Sequence, residues 1–180
     1  MKKLVAIGAL ATLCSSALYA QDPSAMKPGP EQKNLARFVG SWKMDGTMEA
    51  SPLGPGGKMT GTEKCTMFEG GWHVVCDSTG TGPMGPMKSH AVLTYDRNTR
   101  EYRYFGVNNM PDAEMATGTK SGNTWTFNSK MDMGGQTIQS RFTLVEKSPT
   151  VHTMTWEMSM DGKTWKSVMT GTSTKVGSGS

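Results

Sequence analysis

The sequence predicts an all-β protein, a closed up-and-down antiparallel barrel of about ten strands with one short helix at its start. Three observations support this prediction. From Gly40 onward, apolar and polar residues alternate, turn residues recur at roughly eight- to twelve-residue intervals, and no helical segment separates the predicted strands. A sheet of this many antiparallel strands normally closes on itself, because closure removes exposed strand edges.

The N-terminal residues have the pattern of a secretory signal peptide. Lys2 and Lys3 precede an apolar run over 4–18, and a small residue follows at Ala20. We therefore expect residues 1–20 to be removed and the mature protein to be periplasmic or extracellular.

The rest of the chain is predicted to be one domain with flexible ends. Residues 21–28 are polar and contain proline, so we expect a flexible lead. A short helix is predicted to begin near Pro30, because proline suits the first helical turn. The barrel domain is predicted over 29–175, followed by a flexible tail over 176–180.

The ten predicted strands follow the alternation segment by segment. Their approximate bounds are 40–49, 58–68, 72–79, 87–95, 101–108, 113–120, 123–130, 136–146, 150–160 and 164–173. In the ninth, His152, Met154 and Trp156 share one face, whereas Thr153 and Thr155 share the other. We expect the first face to be buried.

Cys65 and Cys76 are predicted to form a disulfide. A pair of cysteines in an oxidising compartment is more often a disulfide than a metal site. The strands that carry them are separated by Gly70-Gly71, a hairpin signal, and a two-residue turn there places Cys65 directly opposite Cys76. The alternative is a reduced pair with only a packing role.

Several motifs resemble one known family. Gly40-Ser41-Trp42, directly after the predicted helix, looks like the G-x-W signature that opens lipocalin and related calycin barrels. Over about 28–175 the chain resembles the bacterial lipocalin-like family called domain of unknown function 1579. The supporting segments are Phe68-Glu69-Gly70-Gly71, the Gly- and Pro-rich stretches 52–57 and 80–86, and Tyr95-Asp96.

The resemblance implies a closed barrel that is plugged by the N-terminal helix, with Trp42 packed across the barrel floor. It implies no catalytic residues. One departure concerns the floor, because such barrels place an arginine near the last strand to stack on this tryptophan. The last arginine here is Arg141.

Inward-facing side chains are expected to line a cavity of roughly 300 Å³ for a small apolar ligand. The candidates are Trp42, Met44, Glu63, Trp72, Trp125, Met154, Trp156, Met158 and Met160. Glu63 belongs to this set if it shares the face of Cys65; in the alternative, a register slip or bulge turns it to solvent.

The cavity mouth is expected at the end opposite the helix, where the connections about 50–57 and 80–86 are long and rich in glycine and proline. Five methionines lie in or beside the loops of that end and give an adaptable apolar rim: Met84, Met87, Met110, Met131 and Met133. The alternative is that these loops only pack on one another.

Charge and motifs exclude several function classes. The 19 Lys and Arg against 15 Asp and Glu give a formal charge of +4, which falls to about +2 without Lys2 and Lys3. We therefore expect no nucleic-acid partner, and the apolar run is too short for membrane insertion. No G-x-S-x-G, H-E-x-x-H, P-loop or C-x-x-C motif occurs, so we expect a non-enzyme without cofactor. The oligomeric state stays open.

The 16 methionines raise a copper alternative, because thioether sulfur is a soft ligand for Cu(I). Met158, Met160 and His152 are its candidate ligands, with Met44 or Met169 from a neighbouring strand. Strand geometry separates His152 from Met160 by about 26 Å, so no single ion contacts both.

The leading hypothesis is thus an exported, non-enzymatic binder of a small apolar molecule. The alternatives are a Cu(I)-binding or methionine-oxidation-buffering envelope protein, and a filled barrel with only a structural or interaction role.

Overall fold

Ten antiparallel strands each pair with the next along the chain, and the last pairs with the first, so the sheet closes into an up-and-down barrel. The computed structural model describes residues 27–51, 54–111 and 113–177, without the side chain of Met133. The predicted signal peptide lies outside the described residues. The predicted fold class and all ten strands are confirmed.

The strands extend two to four residues beyond the expected bounds at several ends. Their bounds are β1 Gly40–Met48, β2 Gly57–Met67, β3 His73–Gly82, β4 Gly85–Asp96, β5 Glu101–Asn108, β6 Glu114–Ser121, β7 Thr124–Met133, β8 Gln136–Ser148, β9 Val151–Ser159 and β10 Lys166–Gly177. The predicted loop at 80–86 is therefore a tight turn at Pro83 and Met84, and glycines that resemble loop residues in the sequence belong to strands.

Glycines occur in these strands at a corner of the barrel, defined by Gly46, Gly61, Gly80 and Gly171, where the backbones of adjacent strands come close together. Gly46 pairs with Gly171, and Gly61 pairs with Gly80. A Cβ atom on Gly46 would lie 2.7 Å from the Thr170 carbonyl oxygen, which is closer than real Cβ contacts. The strands can approach at this corner only without side chains, a common use of glycine in closed sheets.

The helix that precedes the barrel is short. α1 spans Pro30–Asn34, and a 3₁₀ turn over Leu35–Arg37 continues it. Gln32 caps the start, where its Oε1 accepts a hydrogen bond from the Gly29 amide at 2.9 Å. Leu35 is fully buried and Phe38 nearly so, so the segment closes one end of the barrel. Within the described residues, we find no helix with the length and apolar character needed to span a bilayer.

The core consists of two clusters stacked along the barrel axis. The lower cluster, at the helix end, is aromatic and includes Phe38, Tyr102, Trp125 and Phe127. The upper cluster is formed by methionines from adjacent strands: Met48, Met59, Met154 and Met169, with Met44 packed against them.

The hairpin of β2 and β3 has the predicted pairing, with Cys65 opposite Cys76 and a disulfide between them. The turn itself is longer than two residues. The Phe68 amide donates to the His73 carbonyl, so four residues form the loop and Gly70 and Gly71 adopt positive φ. The disulfide prediction is confirmed.

The wall opens at one place, between β6 and β7. The two strands pair only from Thr117 with Asn128 to Ser121 with Thr124. Beyond Thr117, at the end opposite the helix, β6 continues toward Glu114 paired with β5, and β7 continues toward Met133 paired with β8. The two strands therefore diverge at the upper end of the barrel.

Candidate functional site

A cavity of about 320 Å³ lies inside the barrel, above the aromatic cluster. Its floor is formed by Phe38 and Trp42, and its walls come mainly from β1–β4, β9 and β10. The glycine corner widens it, because Gly61 and Gly80 carry no side chains into the space. The volume agrees with the expected size.

Four methionine side chains of the upper cluster line this cavity, and Met87 of β4 adds a fifth. The four are Met44, Met59, Met154 and Met169. Unbranched thioether side chains adapt to irregular shapes and are polarizable. This part of the cavity is thus an apolar, adaptable surface.

Glu63 faces the same cavity from β2. Its neighbours across the strands are Trp42 and Ser78, and the Ser78 hydroxyl donates a hydrogen bond to Glu63 Oε2 at 2.9 Å. Burial raises the pKa of the Glu63 carboxyl, whereas the Ser78 hydrogen bond opposes the rise. The register slip that would have turned Glu63 to solvent does not occur.

A second acidic group lies on the opposite side of the cavity. Glu114, at the start of β6, pairs with Gly106 and is exposed at the edge of the cavity, where desolvation of its carboxyl raises the pKa. A Cβ atom on Gly106 would lie 2.7 Å from the Tyr104 hydroxyl, so the Tyr104 side chain extends over this glycine. Burial and the nearby Glu114 and Glu63 charges raise the pKa of Tyr104.

The floor is a stack of three side chains. The His152 ring lies on the Trp42 ring, with centroids 4.3 Å apart and planes at 29°, and the Lys175 ammonium lies 5.4 Å from the centroid of the Trp42 ring. Trp42 Nε1 donates to the Phe38 carbonyl at 2.7 Å. Lys175 of the last strand therefore supplies the cation that an arginine supplies in related barrels.

His152 is neutral in this environment. Burial and the positive charge of Arg37 lower the pKa of His152 to about 4, and Glu146 opposes the shift. The ring is buried, and its Nε2 atom has no hydrogen-bond partner among the described residues. A neutral, unsatisfied imidazole on the cavity wall is available to hydrogen-bond a ligand.

Four of the nine predicted cavity residues line the cavity: Trp42, Met44, Glu63 and Met154. Three other predicted residues belong to the barrel but do not line the cavity. Trp125 is fully buried in the aromatic cluster below, Trp156 packs against the upper methionine cluster, and Met158 is half-buried near the end of β9.

Two predicted cavity residues lie elsewhere, so these predictions were wrong. Trp72 belongs to the loop before β3, where the Arg97 guanidinium stacks on it 4.6 Å from the ring centroid. Met160 follows the last residue of β9 and is 63% exposed. At this end of β9 Ser159 is buried and Met158 is only half-buried. The alternation that predicted an inward Met160 therefore does not continue to this residue.

On the rest of β9 the predicted contrast between the faces holds only in part. His152 and Met154 are buried as expected, but Trp156 is half-buried, as are Thr153, Thr155 and Glu157 of the other face. Glu157 is covered because it forms an ion pair with Arg141, whose guanidinium also stacks on Trp165 of the β9–β10 loop.

The predicted mouth methionines are dispersed. Met87 lies within β4 and lines the cavity, and Met131 is half-buried in β7. Met84 and Met110 lie in connections at the end opposite the helix and are exposed. Met133 ends β7, and its side chain lies outside the description. The position of the mouth stays a prediction.

The predicted set of cavity residues did not include four residues of the wall: Met59, Tyr104, Glu114 and Met169. Alternation from Cys65 reaches Met59 and therefore carried a signal for it. Met169 follows an irregularity in the pairing of β9 and β10, so simple alternation does not identify its face. Tyr104 and Glu114 lie at the cavity because the barrel closes, so the local sequence pattern does not predict their position there.

Two other features are weaker candidates. Glu63, Cys65 and Cys76 converge within 4.8 Å, but both sulfurs are joined in the disulfide and are unavailable to a metal. A larger depression of about 760 Å³ lies at the divergence of β6 and β7, lined on the outside by Phe105, Met115 and Trp165. It is a surface groove, so the internal cavity is the better candidate.

Comparisons with known proteins agree with this architecture. No curated protein has a significantly similar sequence. Among solved structures, Rv2717c from M. tuberculosis superposes with a TM-score of 0.56 at 10% identity, covering 82% of this chain and 98% of that chain. The S-type phycobiliprotein lyase CPES from Guillardia theta has a TM-score of 0.56 at 11% identity, covering 89% and 99%.

At such low identity these likenesses concern the fold alone. The sequence family is decided by a separate match: the model of the family described as protein of unknown function DUF1579 matches residues 27–175. That match covers nearly the whole barrel and agrees with the resemblance of the G-x-W and Phe-Glu-Gly-Gly segments. The chain therefore belongs to the DUF1579 family.

Proposed function

We propose that this protein is a non-enzymatic binder of a small, largely apolar molecule, which occupies the cavity between the Trp42 floor and the methionine cluster. The observation that carries the proposal is the cavity itself. It has about 320 Å³ of space, and its surface is mostly apolar, from methionine, aromatic, glycine and small aliphatic residues, with threonines, serines, His152 and two carboxyl groups as its polar part. Binding sites for small molecules typically have this composition.

The filled-barrel alternative requires a solid interior, and the volume above the floor is the observation against it. Packing normally leaves few voids larger than a water molecule. An apolar space of this size has a stability cost, and a ligand would offset that cost.

The compartment forms part of the proposal. A disulfide persists in oxidising compartments, which supports export to the periplasm or beyond. The predicted signal peptide is consistent with this location.

We propose binding without catalysis, although one structural neighbour is described as a lyase. The His152 ring, which lines the cavity, stacks on Trp42, and its Nε2 atom has no hydrogen-bond partner among the described residues. This Nε2 atom therefore activates no hydroxyl there, as covalent catalysis through it would require.

Titration with 1-octanol, followed by tryptophan fluorescence and thermal unfolding, tests the proposal. We expect saturable quenching and a melting temperature that rises with ligand concentration. Ser89→Leu fills the cavity and is expected to abolish binding, because Ser89 lines it. Lys88→Leu is the matched control, since Lys88 points outward from the adjacent position. Equal binding by both variants would contradict the proposal.

One observation favours a second candidate, a Cu(I) site. Met44, Met48, Met59, Met154 and Met169 form one contiguous cluster, whereas the ligands suggested by the sequence, Met158 and Met160, are not part of it. Thioethers are soft ligands. Anaerobic titration with Ag(I), a redox-inert analogue, distinguishes the candidates: one-to-one binding that is lost in Met59→Leu and Met154→Leu supports a metal site.

A further inference from the structure

We propose that the cavity selects amphiphiles with a protonated amine, and that the Glu63 carboxylate is the counter-ion for this group. This inference rests on the proposed function and specifies the ligand class. The observation behind it is a carboxyl group that faces a ligand-sized apolar cavity without a cation beside it.

Glu63 has unused hydrogen-bonding capacity inside the cavity. Ser78 donates the one hydrogen bond that its carboxyl receives among the described residues. An ionised carboxylate accepts about four hydrogen bonds. The remaining acceptor positions are therefore free for a ligand that donates, and an ammonium group has three donors.

The cavity lining contains no lysine or arginine among the residues that the structure describes. Two cationic groups at the floor have other partners. Lys175 lies over the Trp42 ring, and Arg37 forms an ion pair with Glu146 at 3.2 Å. The protein does not supply a counter-ion for Glu63 within the cavity, so a bound cation would supply it.

The opposite wall of the cavity is also acidic. Glu114 is a second carboxyl at the cavity, and the Tyr104 phenol extends toward it over Gly106. Phe127 and Phe142 contribute aromatic side chains to the same space. The ring faces attract cations, so they favour an ammonium group over a carboxylate.

Ligands of the three charge types should therefore bind differently. A fatty acid would bring a like charge beside Glu63 and Glu114 and find no cation in the cavity lining. An alcohol would form a hydrogen bond without charge pairing. An amine of the same chain length would form a charge-assisted hydrogen bond, typically the strongest of the three.

The expected pH dependence of ligand affinity follows from the groups that face Glu63. Ser78 faces it from β3, Trp42 from β1, and Tyr104 and Glu114 face it across the cavity, while His152 on β9 is neutral near pH 7. A cation favours ionised Glu63. Amine affinity should thus fall as Glu63 is protonated, whereas alcohol affinity should not follow this titration.

Calorimetric titration of the full mature chain with octylamine, 1-octanol and octanoic acid tests the inference. We expect octylamine to bind at least about tenfold more tightly than 1-octanol at about pH 8, with octanoic acid weakest. In Glu63→Gln, which keeps the size and can still accept from Ser78, the octylamine and 1-octanol affinities should converge. Glu69→Gln removes an equal charge from an exposed loop residue and should keep the selectivity.

The outcomes separate the two proposals. Equal affinities for octylamine and 1-octanol in the unmodified protein would overturn the inference and leave the proposed function standing. Selectivity that persists in Glu63→Gln would also overturn it, because another group would then be the counter-ion. Failure of all three compounds to bind would instead contradict the proposed function.

Discussion

His152 and Trp42 are stacked at the floor of the barrel, with ring centroids 4.3 Å apart, and Lys175 approaches the same indole. The glycine of the G-x-W motif makes this arrangement possible. Gly40 has a φ of 137°, and a Cβ atom there would lie 2.2 Å from Lys175 Cε. Two residues of the motif thus build the floor: Trp42 supplies the ring, and Gly40 leaves space for the Lys175 side chain that contacts it.

His152 is expected to make stability depend on pH. Its pKa of about 4 lies below the unfolded value of 6.5, so its contribution is complete above about pH 6.5 and is lost as the pH falls toward 4. The loss is on the order of 3 kcal/mol. Urea unfolding at several pH values checks this. His152→Gln should flatten the dependence; a slope equal to that of the wild type would refute the assignment.

Glu63→Gln is expected to stabilise the protein without ligand. The folded-state pKa of Glu63 is raised above the unfolded value of 4.5, so folding favours the protonated carboxyl; the penalty is absent below about pH 4.5, grows as the pH rises from there, and is complete above the folded-state pKa. The melting temperature of the variant should exceed that of the wild type at about pH 8, and the difference should disappear below about pH 4. A less stable variant at about pH 8 would mean that the carboxylate is satisfied in the unliganded protein.

The Cys65–Cys76 disulfide is expected to contribute about 3 kcal/mol, because it closes a loop in the unfolded chain. Replacing both cysteines with serine should lower the free energy of unfolding by about that amount. Reductant should destabilise the wild type and leave the double variant unchanged. Intact mass with and without reductant verifies the bond, and two free thiols in the exported protein would contradict it.

Trp125→Ala is expected to destabilise the barrel by about 3–5 kcal/mol, since it leaves a cavity in the aromatic cluster. Trp125 is fully buried, packs edge-on against Phe38 and Tyr102, and donates from Nε1 to Glu146 at 2.7 Å. Trp156→Ala is the comparison, because Trp156 is only half-buried. Denaturant unfolding of both measures the difference; a larger loss for Trp156 would place the main core at the methionine cluster.

Local pairing explains why much of the β2–β3 hairpin was predictable. Cys65 and Cys76 face each other because register within a hairpin is set over a few residues by the turn between them. The same register placed Glu63 opposite Ser78. The loop composition was less informative: Trp72 continues the apolar pattern of β3, yet it belongs to the loop, where it contacts Arg97.

The sequence by itself determined the ten strands, the disulfide pair and the inward face of β9 from His152 to Trp156, because alternation and turns act over neighbouring residues. Only the tertiary structure decided which inward residues meet. Met59 and Met154 are far apart in the sequence and join one cluster because β10 closes onto β1. Closure also placed Glu114 and Tyr104 on the cavity that contains Glu63. These contacts depend on the tilt and stagger of the whole barrel, which no local pattern encodes.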